Sequence, residues 1–481
     1  MKRDDRLDYE DYYDGYDEYD EYEDPQPYFL SARDLIFYCL AFMTPAATTL
    51  IYGGAQAAAH GALAGSYVVA LVLIFLTMLS YRRLGRAFHE GGSVFSYAGQ
   101  GIHRRAGLFT GWAATLFYVT IASAFFMIGA ETATTMAKVL PYTFWFVLIA
   151  AVSGVLVLLG QRISSLAVTV IVLGVVGITA IYILVCLMAA GKGAGPDEVS
   201  TGSAFAGKDA GFGTVMSGAA IACLSFLGFD SATTLTGETD SPKRDTGKAM
   251  AVACVCAAAL FCFQALSSAI IMPDYEGLAS APFIAMSEIA GVAGGVPMQT
   301  LLSLSVIMAS LGVGIAAITA ASRMLGIMVN ETPMGGSRGA HSSDRGLLSD
   351  LLPETGTAPL NVIIAFAVAV AIAFLIPGKD FVLAFDLARF AGMMCFMIVN
   401  AAALIYFWFK RHDSVYSRSL IIPAAGFLAS LWAWISIDPH SFSIGSVCAL
   451  VGVIIIAALF LYERLTLGPA PVDIRDEDNA A

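Results

Sequence analysis

Residues 220–234 read Ala220-Ile-Ala-Cys-Leu-Ser-Phe-Leu-Gly-Phe-Asp230-Ser-Ala-Thr-Thr234, which places one carboxylate near the middle of an otherwise apolar stretch. A charge at the centre of a membrane costs about 2.5–3.5 kcal/mol even on the lower insertion scales, so such charges are usually functional. Phe226 and Phe229 offer aromatic faces that attract cations, and Gly228 lets the backbone break. This stretch predicts a membrane helix that is interrupted beside a functional acid.

The composition places the whole chain in a lipid bilayer. Of its 481 residues, 58% are hydrophobic and 13% are charged, and the mean hydropathy is +0.74. Soluble domains contain about 25% charged residues, so there is too little polar sequence to cover these apolar runs in water. The composition therefore predicts a polytopic helical membrane protein and argues against a soluble enzyme.

Several partner classes are disfavoured by what the sequence lacks. It contains no G-x-x-x-x-G-K-[ST] phosphate loop, which argues against ATP-driven transport by this chain alone. The eight cysteines lie mainly in apolar segments and have no metal-site spacing, so they are interpreted as small packing residues. The sequence predicts no metal, cofactor or nucleic-acid partner, and it makes no prediction of oligomeric state.

The N-terminal segment has a different character from the rest. Its first 28 residues include seven tyrosines, twelve acids and three basic residues, which gives −9 of the formal net charge of −12. Such a segment cannot bury enough apolar surface to fold alone. Residues 1–30 are therefore predicted to form a disordered acidic cytoplasmic tail without signal-peptide features. A role for this tail in binding a regulatory partner is the alternative to a solvated tail.

Charges, prolines and glycines divide the remaining sequence into twelve segments long enough to cross a bilayer. The predicted helices are 34–58, 64–85, 106–136, 142–160, 164–190, 213–236, 248–272, 297–327, 359–376, 381–408, 419–437 and 442–463. One set of alternate loops holds fifteen lysines and arginines, whereas the other set holds four. This bias predicts that both termini face the cytoplasm.

A second interruption is predicted in helix 1, at Thr44-Pro45-Ala46-Ala47-Thr48. Proline removes a backbone donor and clashes with the preceding turn. Helices 1 and 6 begin two halves of five helices each, and matched interruptions in two halves indicate a binding site near the middle of the membrane. The alternative is that Pro45 only kinks one helix and Gly228 only permits close packing.

The opening stretch, continued to Glu238, resembles the sixth-helix signature of the amino acid–polyamine–organocation (APC) permeases. The chain is also similar to their loop after helix 2 at Glu90-Gly91-Gly92-Ser93, and to the end of their helix 8 at Ala321-Ser322-Arg323. These similarities occur in order from about residue 33 to residue 465. Within this superfamily the sequence is most similar to the bacterial putrescine importer branch.

The resemblance implies an all-α membrane protein with 12 transmembrane helices and a five-plus-five inverted-repeat (LeuT-like) fold. Helices 1 and 6 would be broken, and two C-terminal helices would follow the core. The implied divisions are a ten-helix core at 31–408 with repeats 34–190 and 213–408, helices 11 and 12 at 409–465, and a cytoplasmic tail at 466–481. The implied location is the bacterial cytoplasmic membrane, and the implied function is transport.

Carried over position by position, the resemblance places the substrate between helices 1 and 6, facing Tyr118 of helix 3. It makes Phe226 an aromatic gate, Gly228 a hinge and Asp230 the anionic contact. The substrate-binding residues predicted in this way are Met43, Thr44, Pro45, Ala46, Ala47, Thr48, Tyr118, Ser225, Phe226, Gly228, Phe229 and Asp230.

The break in helix 1 favours an amine as the substrate. The related permeases for α-amino acids usually have a Gly-x-Gly-type break, whose N–H groups hold the substrate carboxylate. Pro45 stands in this break and has no N–H. Asp230 instead supplies negative charge, and nearby aromatic rings supply cation–π contacts. The sequence therefore predicts a secondary active importer of a small amine or polyamine such as putrescine, working by alternating access.

Other roles rest on fewer residues. Glu131, in helix 3, is a candidate contact for a second amine, or alternatively an interface residue that faces water. The family resemblance favours H⁺ as the coupling ion, with Asp230 as the carrier, because a medium of low dielectric favours the neutral carboxyl group. The hydroxyl of Ser310, together with those of Thr44 and Thr48, leaves Na⁺ coupling open.

Two alternative functions remain at the sequence level. One is a neutral amino acid permease of the same superfamily, and the other is a transporter-like sensor whose output element is the acidic tail. Arg389 bears on the first alternative. It either pairs with Asp386 near the outer interface, at i,i+3 spacing, or faces the cavity, where it would disfavour a cationic substrate.

Overall fold

The structure is a computed structural model that describes residues 29–88, 93–193, 201–207, 210–239, 242–279, 284–331, 359–413 and 415–466. Three predicted features lie outside the described residues. They are the acidic tail up to residue 28, the motif residues Glu90 to Gly92, and the C-terminal tail from residue 467.

The described chain is helical, and its main helices follow the predicted ones in order. They are α1 (Ala32–Met43 and Ala47–Ala58), α2 (Leu63–Ala87), α3 (Arg104–Met136), α4 (Tyr142–Leu158), α5 (Gln161–Gly191), α6 (Phe212–Ala222 and Ser231–Thr234), α7 (Pro242–Ile271), α8 (Ala285–Glu331), α9 (Pro359–Leu375), α10 (Phe381–Leu404), α11 (Ile422–Ile435) and α12 (Pro439–Thr466). Short helices lie between them at Val94–Gly101, Thr201–Ala206 and Tyr275–Ala279.

The lengths of these helices fit a membrane protein. Among the described residues, nine helices are long and apolar enough to span a bilayer, and the bent pair that forms α1 makes a tenth span. The shorter apolar helices α4 and α9 have 17 residues each and stand where helices 4 and 9 are predicted. The prediction of an all-α membrane fold is confirmed.

Helix α8 differs from its prediction at the start. It was predicted to begin at residue 297, but helical structure begins at Ala285 and is interrupted at Gly295, where φ is 66° and ψ is −166°. Pro297 follows this interruption and suits the first turn of a helix, where its missing N–H has no role. The membrane helix therefore starts close to the predicted position, behind a short helical arm.

Helix α3 lies at the centre of the bundle and packs on α8 and α10. Of the 18 residues in its most apolar stretch, 89% are buried. Close packing depends on small residues at the crossings. A Cβ added to Gly129 of α3 would lie 2.7 Å from the Cβ of Ser310 in α8. Such small residues let membrane helices approach each other. By contrast, only 11% of the most apolar 18-residue stretch of α12 is buried, so α12 lies at the periphery.

The start of α1 is fixed to the end of α6. Ser31 and Asp34 form a capping box that satisfies free N–H groups at the start of α1. The N–H of Leu30, just before this cap, donates to the carbonyl of Glu238 at 2.7 Å. The two broken helices are therefore joined at the end of the bundle where α2 ends and α3 begins. We call it the arginine-rich end, because it carries Arg82, Arg83, Arg86, Arg104 and Arg105.

Candidate functional site

The break in α1 covers three residues between its two halves. Thr44 has φ of 37° and ψ of 126°, Pro45 follows it, and the helix resumes at Ala47. The halves are bent by 45° relative to each other. Because Pro45 offers no N–H and Thr44 adopts a non-helical conformation, the helical hydrogen bonds cannot continue through this segment.

The break in α6 begins with a 3₁₀ turn at Cys223–Phe226. Leu227 is extended, and Gly228 has φ of 95°, in the left-handed region that disfavours residues with a side chain. A Cβ added to Gly228 would lie 2.0 Å from the ring of Phe42 in α1. Both the backbone conformation and the contact with α1 therefore require glycine here.

Asp230 lies at the end of this break and is 2% exposed. Its Oδ2 accepts a hydrogen bond from the hydroxyl of Tyr81 in α2 at 3.2 Å. Its Oδ1 has no hydrogen-bond partner among the described residues. A buried carboxylate oxygen without a partner is costly, so this acid has room for one further donor or a proton.

Aromatic rings surround the acid from two other helices. The ring of Tyr81 lies 5.4 Å from that of Phe229 and 6.0 Å from that of Phe396 in α10. The rings of Phe229 and Phe396 are 5.1 Å apart. Tyr81 and Phe396 were not predicted as site residues.

Hydroxyl groups link the two broken helices to α2. The Thr48 hydroxyl donates to the Tyr67 hydroxyl at 3.0 Å, and the Tyr67 and Ser225 hydroxyls are 3.1 Å apart. The ring of Tyr67 is 6.4 Å from that of Phe226. Thr48 of α1 and Ser225 of α6 therefore share one hydrogen-bond partner, which is the hydroxyl of Tyr67 in α2.

A cavity of about 320 Å³ lies between the breaks and the start of α10. Four of the predicted substrate-binding residues line it, and these are Met43, Thr44, Ala47 and Ser225. Phe42 and Leu227 also line it, although the sequence analysis did not select them. Asp230 lies three residues beyond Leu227 and is not in the cavity wall.

The other predicted residues do not line this cavity. They are Pro45, Ala46, Thr48, Tyr118, Phe226, Gly228, Phe229 and Asp230. Ala46 packs with Val175 and Ala309 of α5 and α8, away from the cavity. The ring of Tyr118 lies 5.7 Å from that of Phe42, so Tyr118 supports the wall.

Arg389 is 4% exposed and lines the cavity, together with Asp386 and Asp438. One of its terminal nitrogens donates to the carbonyls of Ala220 at 3.3 Å and Ala433 at 2.9 Å. The alternative pairing with Asp386 is not formed, since the carboxylate of Asp386 accepts from Ser441 instead. The two acids exceed the one arginine, so this wall carries a net negative charge.

The remaining predicted residues lie apart from the break in α6. Glu131 lines a second cavity of about 190 Å³, together with Thr49 and Phe381. Ser310 is fully buried, and its hydroxyl donates to the carbonyl of Val306 at 2.9 Å. No cluster of three or more possible metal ligands occurs within the described ranges.

An ion pair joins α8 to the segment that follows α6 at the arginine-rich end of the bundle. Arg323 of α8 donates to both carboxylate oxygens of Glu238, at 2.8 and 2.9 Å. It also donates to the side-chain oxygen of Gln161 in α5 at 2.7 Å. These three residues do not line the cavity, whose wall instead includes residues at the start of α10.

Paired breaks around a cavity, in a bundle of apolar helices, define a multi-pass membrane transporter. The profile of the amino acid permease family matches residues 35–464, and the chain belongs to this family. This membership confirms the resemblance to the APC superfamily.

The chain is 25% identical to the low-affinity putrescine importer PlaP of Escherichia coli K12, over 89% of this chain and 93% of the importer. The same values hold for the protein of this name from Escherichia coli O157:H7. The fold is similar to that of a Na⁺-coupled sialic acid symporter in a substrate-bound outward-open state. The TM-score is 0.55 and the sequence identity is 14%, over 86% of this chain and 91% of the symporter. These relatives are transporters and not enzymes.

Proposed function

We propose that this protein is a secondary active transporter that imports a small amine or polyamine of the putrescine type, coupled to protons. The substrate is held between the broken helices α1 and α6 during alternating access. The protein lies in the bacterial cytoplasmic membrane with both termini in the cytoplasm. The observation that carries the proposal is the buried carboxylate of Asp230, which has one unpartnered oxygen at the break of α6.

An ammonium group fits the chemistry of this carboxylate. It supplies positive charge and N–H donors, and charged hydrogen bonds of this kind are worth about 1.5–3 kcal/mol each. The rings of Tyr81, Phe229 and Phe396 add faces for cation–π contact. The similarity to a putrescine importer supports the same class of substrate.

In this proposal the substrate reaches Asp230 from the cavity, past residues of the cavity wall. Phe42 and Leu227 belong to its wall, and Phe42 contacts Gly228. A rotation of the α6 segment about Gly228 would therefore be coupled to movement of Phe42. In the absence of substrate, a proton on Oδ1 would neutralise the acid, which gives Asp230 a role in proton coupling.

A second candidate function is the import of a neutral amino acid. The position of Arg389 favours it, because a guanidinium in the cavity can pair with a carboxylate. Against it, Arg389 already donates to two backbone carbonyls, and Pro45 leaves α1 without one of the N–H groups that would bind a carboxylate.

Counterflow in proteoliposomes distinguishes the two candidates. Liposomes loaded with putrescine, cadaverine, alanine or leucine are tested for uptake of a trace of the same labelled compound. We expect exchange of the diamines, and we expect an inward proton gradient to stimulate net diamine uptake into unloaded liposomes. Exchange of alanine or leucine without exchange of either diamine would establish the amino acid permease instead.

A substitution at Arg389 gives an independent test. Removing this positive charge by Arg389→Gln should lower the KM for putrescine about fivefold, because repulsion of the cation is lost. Arg389→Lys keeps the charge and serves as the control. An increased KM for a carboxylate substrate in Arg389→Gln, with no diamine uptake in either protein, would favour the second candidate.

A further inference from the structure

A groove at the arginine-rich end of the bundle, separate from the central cavity, has a volume of about 560 Å³. It lies between the end of α2 and the connection from α10 to α11. Five arginines and one aspartate line it, which gives a net charge of +4. These residues are Arg82, Arg83, Arg86, Arg411, Arg418 and Asp413.

Part of this groove is held in place by internal contacts. Arg83 forms an ion pair with Asp413 at 3.0 Å, and its guanidinium lies 3.9 Å from the ring centroid of Phe407. It also donates to the hydroxyl of Ser419 and the carbonyl of Arg418. Contacts within the protein therefore hold the Arg83 side chain in its place in the wall of the groove.

Three other arginines keep free charge. Asp413 pairs with Arg83 and lies 3.7 Å from Arg411. Among the described residues, no carboxylate pairs with Arg82, Arg86 or Arg418. Arg82 and Arg86 are four residues apart, so they lie on one face of α2.

Apolar surface lies beside these charges. Leu79, Phe407 and Ile422 line the groove. Near them in sequence, Phe409 and Ile421 are 60% and 58% exposed, as expected for side chains that face lipid. A ligand in this groove therefore meets cationic donors and hydrocarbon at the same time.

We propose that this groove binds the phosphodiester headgroup of an anionic glycerophospholipid, with an acyl chain along the apolar side. Basic pockets between membrane helices at the cytoplasmic face bind such headgroups, and each arginine near an anionic surface contributes about 1 kcal/mol. The free arginines supply the charge, and the apolar wall distinguishes a lipid from a free phosphate. This site lies apart from Asp230 and does not depend on which substrate is transported.

Native mass spectrometry of the full-length protein tests the proposal by titration with phosphatidylglycerol. The zwitterionic lipid phosphatidylcholine and inorganic phosphate serve as comparison ligands. The test variant is Arg86→Gln/Arg418→Gln, and both of these arginines are exposed, so folding should be retained. The matched control is Arg105→Gln/Arg162→Gln, which removes two exposed charges from the same end outside the groove.

We expect the test variant to bind phosphatidylglycerol about 30-fold more weakly than the wild type. Each of the two charges removed contributes about 1 kcal/mol, which is slightly more than fivefold in affinity. The control pair should bind it as the wild type does. Equal weakening in both variants, or no preference over phosphatidylcholine, would overturn the proposal. Displacement of the lipid by an equal concentration of inorganic phosphate would also overturn it, because the ligand would then be the free anion.

A deletion of residues 2–28 tests whether the acidic tail occupies the groove instead of a lipid. The acidic tail carries −9 and could compete for the same arginines. Unchanged lipid affinity after the deletion supports the lipid assignment. If phosphatidylglycerol bound only to the truncated protein, the tail would be the occupant in the intact chain and the proposal would fail.

Discussion

A carboxylate that is 2% exposed and accepts one side-chain hydrogen bond is far from satisfied. In water each carboxylate oxygen accepts several hydrogen bonds, and Oδ1 of Asp230 has none within the described structure. The free energy lost on burial is recovered only when a proton or a cation arrives. At the scale of single residues, the proposed role of Asp230 predicts that binding a proton or a cation stabilises this part of the protein.

The first prediction concerns Asp230. Asp230→Asn should reduce putrescine uptake to background, because the amide has no charge to offer an ammonium group. Tyr81→Phe removes only the hydrogen bond to Oδ2, worth about 1.5–3 kcal/mol, and should lower kcat/KM about 10- to 100-fold. The measurement is initial uptake of labelled putrescine in proteoliposomes. Full uptake by Asp230→Asn would remove this residue from the site.

The second prediction concerns Gly228. Gly228→Ala should lower the Tm and abolish transport, since a left-handed φ costs a residue with a side chain about 1–2 kcal/mol and the added Cβ meets Phe42. Gly237→Ala is the matched control, because it lies in the same region and nothing lies within 4 Å of its added Cβ. Thermal unfolding followed by size-exclusion chromatography measures both. Equal Tm values for the two variants would contradict this account.

At the scale of whole elements, the ends of α1 and α6 behave as one unit. Leu30 bonds to the carbonyl of Glu238, and Arg323 holds the side chain of the same residue. These contacts involve the short helix Thr236–Glu238 that follows α6, and the start of α1. We therefore predict that the Arg323–Glu238 contact breaks when this end of the bundle opens.

The third prediction tests this closure with a buried thiol. Cys39 of α1 is fully buried, and its Sγ donates to the carbonyl of Phe229 at 3.1 Å. In a variant in which Cys39 is the one cysteine kept, Glu238→Gln should raise the rate of maleimide labelling about tenfold or more, as expected for a weakened charged contact. Glu276→Gln, in the helix Tyr275–Ala279, is the control. Equal labelling rates would show that the pair does not close this end.

The bounds and breaks of the helices show how much of the fold could be predicted from the sequence. The bounds of α2, α3 and α9 agree with prediction within two residues at each end, because long apolar runs end at charges, prolines or glycines. The arm before Gly295 was missed, since its ten residues include Ser287, Glu288 and two glycines and do not resemble a membrane helix. The breaks were found because proline and glycine cause them locally.

The side chains that complete the site were harder to predict. Which face of a helix meets the cavity depends on how neighbouring helices pack, and a single sequence does not encode this locally. Thus the contact of Tyr81 with Asp230 and the place of Phe42 in the wall were missed. One signal was present, because Tyr67 and Tyr81 are fourteen residues apart and nearly share a face of α2.

At the scale of the whole molecule, the distribution of charge predicts the orientation in the membrane. Fifteen basic residues in one set of loops and four in the other predict cytoplasmic termini, and the groove of arginines lies at that same end. Under the proposed function, import would run from the wall that contains Asp386 and Asp438 toward the Arg323–Glu238 pair.

The fourth prediction follows from this orientation. Epitope tags placed at either terminus should resist an external protease in intact spheroplasts and be cleaved after the membrane is permeabilised. Immunoblotting of both tags measures this. A tag inserted beside Lys192, in a loop predicted to be external, is the control and should be cleaved without permeabilisation. Cleavage of either terminal tag in intact spheroplasts would contradict the orientation.

The contact between Phe42 and Gly228 also limits how this protein can evolve. No side chain fits at position 228 while the Phe42 ring occupies its present place, 2.0 Å from where a Cβ would lie. A smaller residue at position 42 must therefore appear before any replacement at position 228 is tolerated. Because Phe42 also lines the cavity, that first step would change the shape of the proposed substrate site before position 228 could change. Divergence of specificity in this lineage is thus expected to precede divergence of the hinge.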